Sequence, residues 1–173
     1  MSNAPHFIRG ARRGENVSYA SLESVLVHDG LKDAYTGESM GNTGETIADE
    51  HGITREQSDA FAVRSHALAN KAWDEGWLDK EVFPVAGLER DEGIRSGSTM
   101  ESLGGLAAVF TEDGQVTAGN SSQVSDGASA VLIASEEAAE EHGLPVLARI
   151  VGYATSGVES HRVMSAPIPT VHK

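Results

Sequence analysis

The stretch VTAGNSSQVSDGASAVLIASEEAAEEHG, residues 116–143, decides the fold of this chain. It opens with TAGNSS (residues 117–122), a turn of small residues that lets a backbone approach a ligand and offer N–H and hydroxyl groups. Residues 128–134 are an almost unbroken apolar run, with the length of a strand buried on both faces. Ser135 then predicts the N-cap of a helix, and Gly143 predicts its end. This order predicts a layered α/β fold with a site at the edge of the strand.

Composition narrows the class of protein. The 173 residues are 39% hydrophobic and only 5% aromatic, which is typical of a globular chain whose interior is filled by small side chains. A formal net charge of −13 argues against nucleic acid and anionic lipid as partners. There is no apolar run long enough for a membrane span and no signal-like N-terminal pattern, so we expect a cytoplasmic protein with no membrane partner.

Cysteine is absent from the sequence. This excludes disulfides, thiolate–metal sites and a thiol nucleophile among these residues. The seven histidines form no HExxH or comparable cluster, so we expect no metal site. Phosphate-binding glycine motifs and a GxSxG elbow are also missing from the sequence, which removes nucleotide-dependent and serine-hydrolase chemistry from consideration.

Helix signals dominate the first half of the chain. Apolar residues at helical spacing predict a helix over residues 21–30. Thr43 and Thr54 each resemble an N-cap, and Thr54 is the stronger because Gln57 completes a capping box. We therefore expect residues 54–76 to be largely one helix.

Strand signals are shorter. Residues 81–85 read as a short strand ended or held at an edge by Pro84. Residues 116–118 are strand-like, and residues 147–153 (LARIVGY) predict a second strand of near-continuous apolar character.

The segment TAGNSSQVSDGASAVLIAS closely resembles the one that thiolases (acyl-CoA C-acyltransferases) carry where their loop domain joins the core. Residues 1–6 (MSNAPH), 40–85 and 148–158 (ARIVGYATSGV) resemble further thiolase segments, in thiolase order. Residues 99–103 (TMESL) resemble the family's TxExL segment, which implies a turn followed by a helix. The resemblance therefore covers essentially the whole chain. For residues 1–6 one alternative stays open, namely that Ser2, Asn3 and Ala4 are an expression-vector scar.

This resemblance implies an α/β, thiolase-like layered fold that is incomplete, with a loop domain and parts of both halves of the core. Residues 1–124 would be the loop domain that binds coenzyme A. Residues 125–146 would finish the N-terminal core half with its last strand and helix. Residues 147–173 would start the C-terminal core half.

The resemblance also implies a coenzyme A site. Arg95 would lie near the adenine nucleotide, Ser122 would hydrogen-bond the pantetheine amide, and the pantetheine channel would be lined in part by Val124. The full set that the resemblance assigns to coenzyme A is His6, Arg95, Ser102, Ala118, Ser122, Val124 and Met164.

Three of these assignments carry an open question. Arg95 lies in a polar stretch and has a plain alternative as a solvated loop residue, although a planar guanidinium suits both a base and a phosphate. Met164 belongs to a segment that resembles the family motif MGxGPxPA but is one residue shorter between Met164 and Pro167. For Ala118 and its neighbour Gly119, close approach of a ligand explains the small side chains better than core packing does.

Thiolases transfer an acyl group to or from acetyl-CoA through a cysteine thioester, which an acetyl-CoA carbanion attacks within an oxyanion hole. The resemblance places one catalytic cysteine before Met1, and the other, with a GHPxG-like histidine motif, beyond Lys173. No catalytic residue is therefore expected in these 173 residues. Acyl-CoA is the expected partner and substrate, with no separate cofactor, in a homo-oligomer (dimer or tetramer). The alternatives are a stand-alone binding or interaction module and a catalytically inactive piece of a thiolase.

The lack of a thiol generates a direct prediction. The purified 173-residue chain should catalyse neither condensation of acetyl-CoA nor thiolysis of acetoacetyl-CoA, because it has no group that can accept the acyl unit. The measurement is the rate of acetoacetyl-CoA loss, with a mock purification as control. Turnover above that control would contradict the prediction.

Overall fold

A computed structural model describes residues 1–11 and 21–173. The two short strands β1 (His6–Phe7) and β2 (Glu23–Ser24) pair antiparallel, His6 opposite Ser24 and Phe7 opposite Glu23. A π-helical turn, Leu26–Gly30, follows. The α-helices are α1 (Met40–His51), α2 (Arg55–Asp74), α3 (Met100–Gly104), α4 (Glu136–Glu141) and α5 (Pro167–Val171), and a kinked 3₁₀ segment, Ser160–Ser165, precedes α5.

Local chemistry explains where the helices begin. The side chain of Thr54 accepts a hydrogen bond from Gln57 N–H, while the Gln57 side chain accepts one from Thr54 N–H, so the predicted capping box is confirmed. A second capping box, Thr99 with Ser102, begins the predicted helix α3. Ser135 caps α4 as predicted, and Gly143 follows it with a positive φ of 61°.

One helix prediction is wrong and another is confirmed only in part. Thr43 is not an N-cap, because α1 begins three residues earlier with Ser39 as its N-cap. The helix expected over residues 21–30 is present only in its second half, as the π-helical turn, since Glu23 and Ser24 pair with β1 instead. Thr43 is fully buried inside α1, where its hydroxyl donates to Met40 O at 2.6 Å.

The predicted strands are absent from the part of the chain that the structure describes. Residues 82–84 have no regular structure, and Val85 forms one bridge with Leu88 across a turn at residues 86–87. Residues 116–118 contribute one bridge, Thr117 to Ala108. Residues 128–134 and 147–153 have no strand assignment, and Val131 and Leu147 are 82% and 96% exposed. In this chain by itself no described segment pairs with residues 128–134, and exposure is what we expect of a strand seen without its partner strands.

The helices pack in two groups. Helix α1 packs against the 3₁₀ segment, where Arg162 donates to Glu50 at 2.8–2.9 Å. Helix α2 packs against α3. Among the described residues the buried apolar side chains are only Ala48, Leu103 and Ala139, whereas the buried polar ones are Thr43, Glu45, Asp59 and Thr117. Polar contacts therefore decide how the loops sit on these helices.

The exposed segments predict a measurable contrast. In the 173-residue chain, backbone amides of residues 128–134 and 145–153 should exchange with solvent at nearly unprotected rates, because no described backbone group pairs with them. Amides inside α2 are the internal control and should exchange orders of magnitude more slowly. Hydrogen–deuterium exchange with peptide-level mass spectrometry makes the comparison. Equal protection in both regions would mean that the backbone amides of residues 128–134 and 145–153 are paired, which would contradict the prediction.

Candidate functional site

The candidate site is built around one loop, residues 115–126, which we call the 115–126 loop. It contains Ala118, Ser122 and Val124, three of the residues expected to contact coenzyme A. Residues 121–126 are all exposed, whereas Thr117 is completely buried. The loop is thus anchored at its beginning and open to solvent where a ligand would meet it.

Glu45 of α1 fixes the start of this loop. One carboxylate oxygen accepts from Gln115 N–H at 2.7 Å, and the other accepts from Val116 N–H at 2.9 Å. Glu45 is only 6% exposed, so these charge-assisted bonds supply the solvation that water would otherwise give. Gly114 lies against the same carboxylate, where a Cβ would clash.

Asn120 closes the turn that follows. Its Oδ1 accepts from Thr117 N–H at 2.8 Å, and its Nδ2 donates to Gln115 O at 2.8 Å. The same Nδ2 donates to Asp59 Oδ1 of α2 at 3.0 Å. One amide side chain therefore shapes the turn and attaches it to a helix.

Asp59 is held in turn by Arg55, one helical turn earlier. Arg55 Nε donates to Asp59 Oδ2 at 2.8 Å, and Arg55 Nη2 donates to the carbonyls of Leu103 and Leu106 at 2.6 and 3.0 Å. The Arg55 side chain is 24% exposed and that of Asp59 is 2% exposed, so the ion pair is largely removed from water. It joins α2, the C-terminal end of α3 and the 115–126 loop.

Gly119 is small because of packing. A Cβ at Gly119 would lie 2.6 Å from Leu106 Cδ1 and 3.0 Å from Leu103 Cγ, closer than side chains can approach. The expectation that ligand approach explains this glycine better than core packing is therefore wrong. Ala118, by contrast, is exposed.

Arg95 lies in a second loop that reaches the first. Its backbone N–H donates to Nδ1 of His66 on α2 at 3.2 Å, and its side chain is exposed. Two residues earlier, Gly93 lies directly against the Gln123 side chain, where a Cβ would clash. Arg95 is thereby brought to the neighbourhood of Ser122 and Val124. No described carboxylate is within ion-pairing distance of its guanidinium.

The N-terminal residues contact the far end of the 115–126 loop. Ser2 N–H donates to Asp126 Oδ1 at 2.8 Å, and the Ser2 hydroxyl donates to Oδ2. His6 is exposed in β1, where it pairs with Ser24.

Ser102 and Met164 occupy different surroundings. The Ser102 hydroxyl accepts from Thr99 N–H and donates to Thr99 O, both at 3.0 Å, so its proton is already used. Met164 lies in the 3₁₀ segment on α1, with its sulfur close to Gly44, beside Val116. Its side chain is half-exposed. The shortened spacing to Pro167 therefore still leaves Met164 near the start of the 115–126 loop.

The structure thus brings the loops of Arg95, Ala118, Ser122 and Val124 together, with the N-terminal residues beside them. Arg12 and Arg13, the less specific cationic pair in the sequence, lie outside the described residues. An open cleft of about 730 Å³ between α2 and residues 90–96 adjoins Arg95. Its lining carries Asp74, Asp91 and Glu92 against Arg90, a balance that disfavours phosphate.

Sequence reasoning missed four positioning side chains, Glu45, Arg55, Asp59 and Asn120. One signal was present, because Arg55 and Asp59 have the i, i+4 spacing of a helical ion pair. The partners of Glu45 are 70 and 71 residues away in sequence, and Asp59 is 61 residues from Asn120, so these contacts carried no local signal.

Comparisons with known proteins agree with this arrangement. The family model described as "Thiolase, N-terminal domain" matches residues 1–137. The chain is 40% identical over 182 residues to an acetyl-CoA acetyltransferase of Pseudomonas aeruginosa, with 100% of this chain and 46% of the relative covered. It is 40% identical over 178 residues to an acetyl-CoA acetyltransferase of Cupriavidus necator, with 98% and 45% covered.

A solved structure gives the same answer. The crystal structure of human mitochondrial 3-ketoacyl-CoA thiolase in complex with CoA is similar with a TM-score of 0.90 and 38% identity, covering 99% of this chain and 44% of that one. The chain belongs to the thiolase family. It spans about half the length of the curated relatives it matches. The α/β thiolase fold is therefore confirmed in incomplete form. Among the described helices, none is long and apolar enough to cross a membrane.

The packing of Gly119 is open to test. Gly119→Ala should lower the free energy of unfolding by about 1–3 kcal/mol, because the added methyl overlaps Leu106 and Leu103. The measurement is the denaturation midpoint, and Gly97→Ala is the matched control, since a Cβ there meets nothing within 4 Å. Shortening the half-exposed neighbour with Leu106→Ala should recover part of the loss. A neutral Gly119→Ala would contradict the packing explanation.

Proposed function

We propose that this chain is the coenzyme A-binding part of a thiolase that transfers an acyl group to or from acetyl-CoA. The observation that carries the proposal is the meeting of segments that family resemblance assigns to coenzyme A. The loops of Arg95 and Ser122 touch through Gly93 and Gln123, and the N-terminal residues reach the same loop at Asp126. Loops far apart in sequence thus form one exposed surface.

The proposed roles follow from side-chain chemistry. The Arg95 guanidinium would hold the nucleotide end of coenzyme A, since its planar fork can stack on a base and donate to phosphate. The exposed Ser122 hydroxyl would bond the pantetheine amide. Ser102 could only accept a hydrogen bond, because its proton is donated to Thr99 O. The apolar contacts would come from Ala118, Val124 and Met164, with His6 at the edge of the channel.

The charge distribution indicates where the nucleotide of coenzyme A would bind. Coenzyme A is a polyanion and the chain carries a net −13, so the overall field opposes binding. The acidic cleft beside Arg95 adds to this opposition. Recognition would therefore rest on local cations, and an exposed arginine on the loop face is better suited than the cleft.

The covalent chemistry would lie elsewhere. None of the 173 residues is a cysteine, so a thioester cannot form on them. The exposed segments at residues 128–134 and 147–153 would pair with strands of the two core halves.

The division at residues 1–124, 125–146 and 147–173 belongs to this proposal, as do homo-oligomer formation, a cytoplasmic setting and a role in fatty acid metabolism. These last points follow from family resemblance alone.

Arg95 provides the test. In the natural protein that carries this chain, Arg95→Ala should weaken binding of acetyl-CoA by about 1–3 kcal/mol, the usual effect of losing a charge-assisted hydrogen bond. The turnover rate at saturation should hardly change, because contacts with the nucleotide end contribute equally to ground and transition states. The measurement is KM and kcat at two salt concentrations.

Two controls accompany this variant. Arg149→Ala removes an exposed arginine that pairs with Glu136 and should leave KM unchanged. Arg12→Ala combined with Arg13→Ala should have a smaller effect than Arg95→Ala, because the family resemblance assigns neither of them to the nucleotide. If KM is unchanged in Arg95→Ala, this arginine is a solvated loop residue and its proposed role is wrong.

A further inference from the structure

The Asp59–Asn120 hydrogen bond is a buried connection between helix α2 and the 115–126 loop. The two residues are 61 positions apart in sequence, and Nδ2 to Oδ1 is 3.0 Å. Asp59 is 1% exposed and Asn120 is part-buried. A buried hydrogen bond of this kind adds little net stability while both partners are present. Removal of one partner leaves the other buried without a hydrogen bond, which costs substantial free energy.

The orientation of the Asn120 amide is determined by its partners. Its nitrogen faces two acceptors, Asp59 Oδ1 and Gln115 O, and its oxygen faces one donor, Thr117 N–H. A flipped amide would set its oxygen against both acceptors and its nitrogen against the donor. A single arrangement of the turn therefore satisfies every group.

The loop changes character immediately after this anchor. Thr117 is buried and Asn120 half-buried, while Ser121, Ser122 and Gln123 are exposed. The exposed residues have no other side-chain anchor to a helix among the described contacts. Their position relative to Arg95, whose backbone is fixed by His66 on the same helix, depends on Asp59 and Asn120.

We propose that Asp59 and Asn120 are positioning residues that set the register between the Arg95 loop and the 115–126 loop, so that one extended ligand contacts both. This inference rests on the proposed function, since it takes the pantetheine and nucleotide of coenzyme A as that ligand. Helix α2 serves as the common base, with Arg95 held through His66 and the 115–126 loop held through Asp59. Arg55 neutralises the Asp59 charge and also bonds the end of α3.

The test is an exchange of the two side chains in the natural protein that carries this chain. Asn120→Asp places two carboxylates against each other, and Asp59→Asn places two amide donors against each other or leaves Arg55 without its counter-charge. The double variant, Asp59→Asn with Asn120→Asp, reverses the bond: the amide at position 59 can accept from Arg55 and donate to the carboxylate at position 120, which still accepts from Thr117 N–H. The bond to Gln115 O is lost and a carboxylate oxygen faces that carbonyl, so the recovery of binding should be incomplete.

The readout is the dissociation constant for coenzyme A by isothermal titration calorimetry, well below each variant's midpoint of thermal unfolding. Each single exchange should raise Kd about tenfold or more, and the double exchange should return it to within about threefold of the wild type. Asn42→Asp is the matched control. It makes the same chemical change in the first turn of α1, where Asn42 bonds Ser39 and Phe110 O, and should leave Kd unchanged.

A purely structural role gives a different pattern. If the single exchanges lower the unfolding midpoint but leave Kd unchanged, or if the double exchange fails to recover binding, the positioning role is wrong. Should Asn120→Asp fail to fold, Asn120→Ala removes the same bonds without adding a charge and should raise Kd at least about fivefold. Wild-type protein that does not bind coenzyme A would overturn the proposed function itself, and binding by wild type with no response to any of these exchanges would overturn only the positioning role.

Discussion

The Arg55–Asp59–Asn120 chain of hydrogen bonds is the constraint on which the rest of the described structure depends. Buried apolar side chains are few here and small, so the loops are not held by a large hydrophobic interior. A buried carboxylate needs partners, and Asp59 is bonded by Arg55 on its own helix and by Asn120 in the 115–126 loop, while Arg55 also donates to the carbonyl of Leu103 in α3. Satisfying one charge therefore fixes the relative positions of α2, α3 and the 115–126 loop.

The exposed apolar segments, unlike Asp59, have no partners among the described residues. Val131, Leu132 and Ile133 are each more than two-thirds exposed, and so are Ile150, Val151 and Tyr153. A run of this kind loses the stabilisation of about 25 cal/mol per Å² that burial would give, and leaves backbone groups open to pairing. Such surfaces are typical of a sheet that awaits its neighbouring strands, in agreement with a chain that spans about half the length of its relatives.

The sequence predicted best where the cause of structure is local. The capping box at Thr54 and the cap at Ser135 need partners only three residues away, so the sequence alone reveals them. The apolar run at residues 128–134 gave the correct class of fold but not the local state, because a strand exists only when another strand pairs with it. Glu23 and Ser24 show the same effect in reverse, since pairing with β1 overrides a helical pattern.

In the candidate site, too, some residues could be named from the sequence and others only from the structure. Family resemblance was enough to name Arg95 and Ser122, and the structure adds that their loops touch through Gly93 and Gln123. Nothing in the sequence indicated that Glu45 accepts from residues 115 and 116, because its partners are backbone groups without any side-chain signature. The interpretation of Gly119 was wrong for a related reason. A sequence does not show whether a glycine is required by a packed leucine or by an approaching ligand.

The Glu45 contact also sets how this protein can vary. Its carboxylate receives only main-chain N–H groups from Gln115 and Val116, and the Gln115 side-chain oxygen is buried with no described partner. The identity of residue 115 is therefore irrelevant to the bond, and a leucine or methionine could replace the glutamine without loss of a hydrogen bond. Proline alone is forbidden at both positions, because it has no N–H to donate. Position 45, by contrast, cannot be substituted in this way, since only a carboxylate of this length can accept hydrogen bonds from two adjacent amides. One contact thus joins a position where the side chain itself is required to two positions where the bond requires only a backbone N–H.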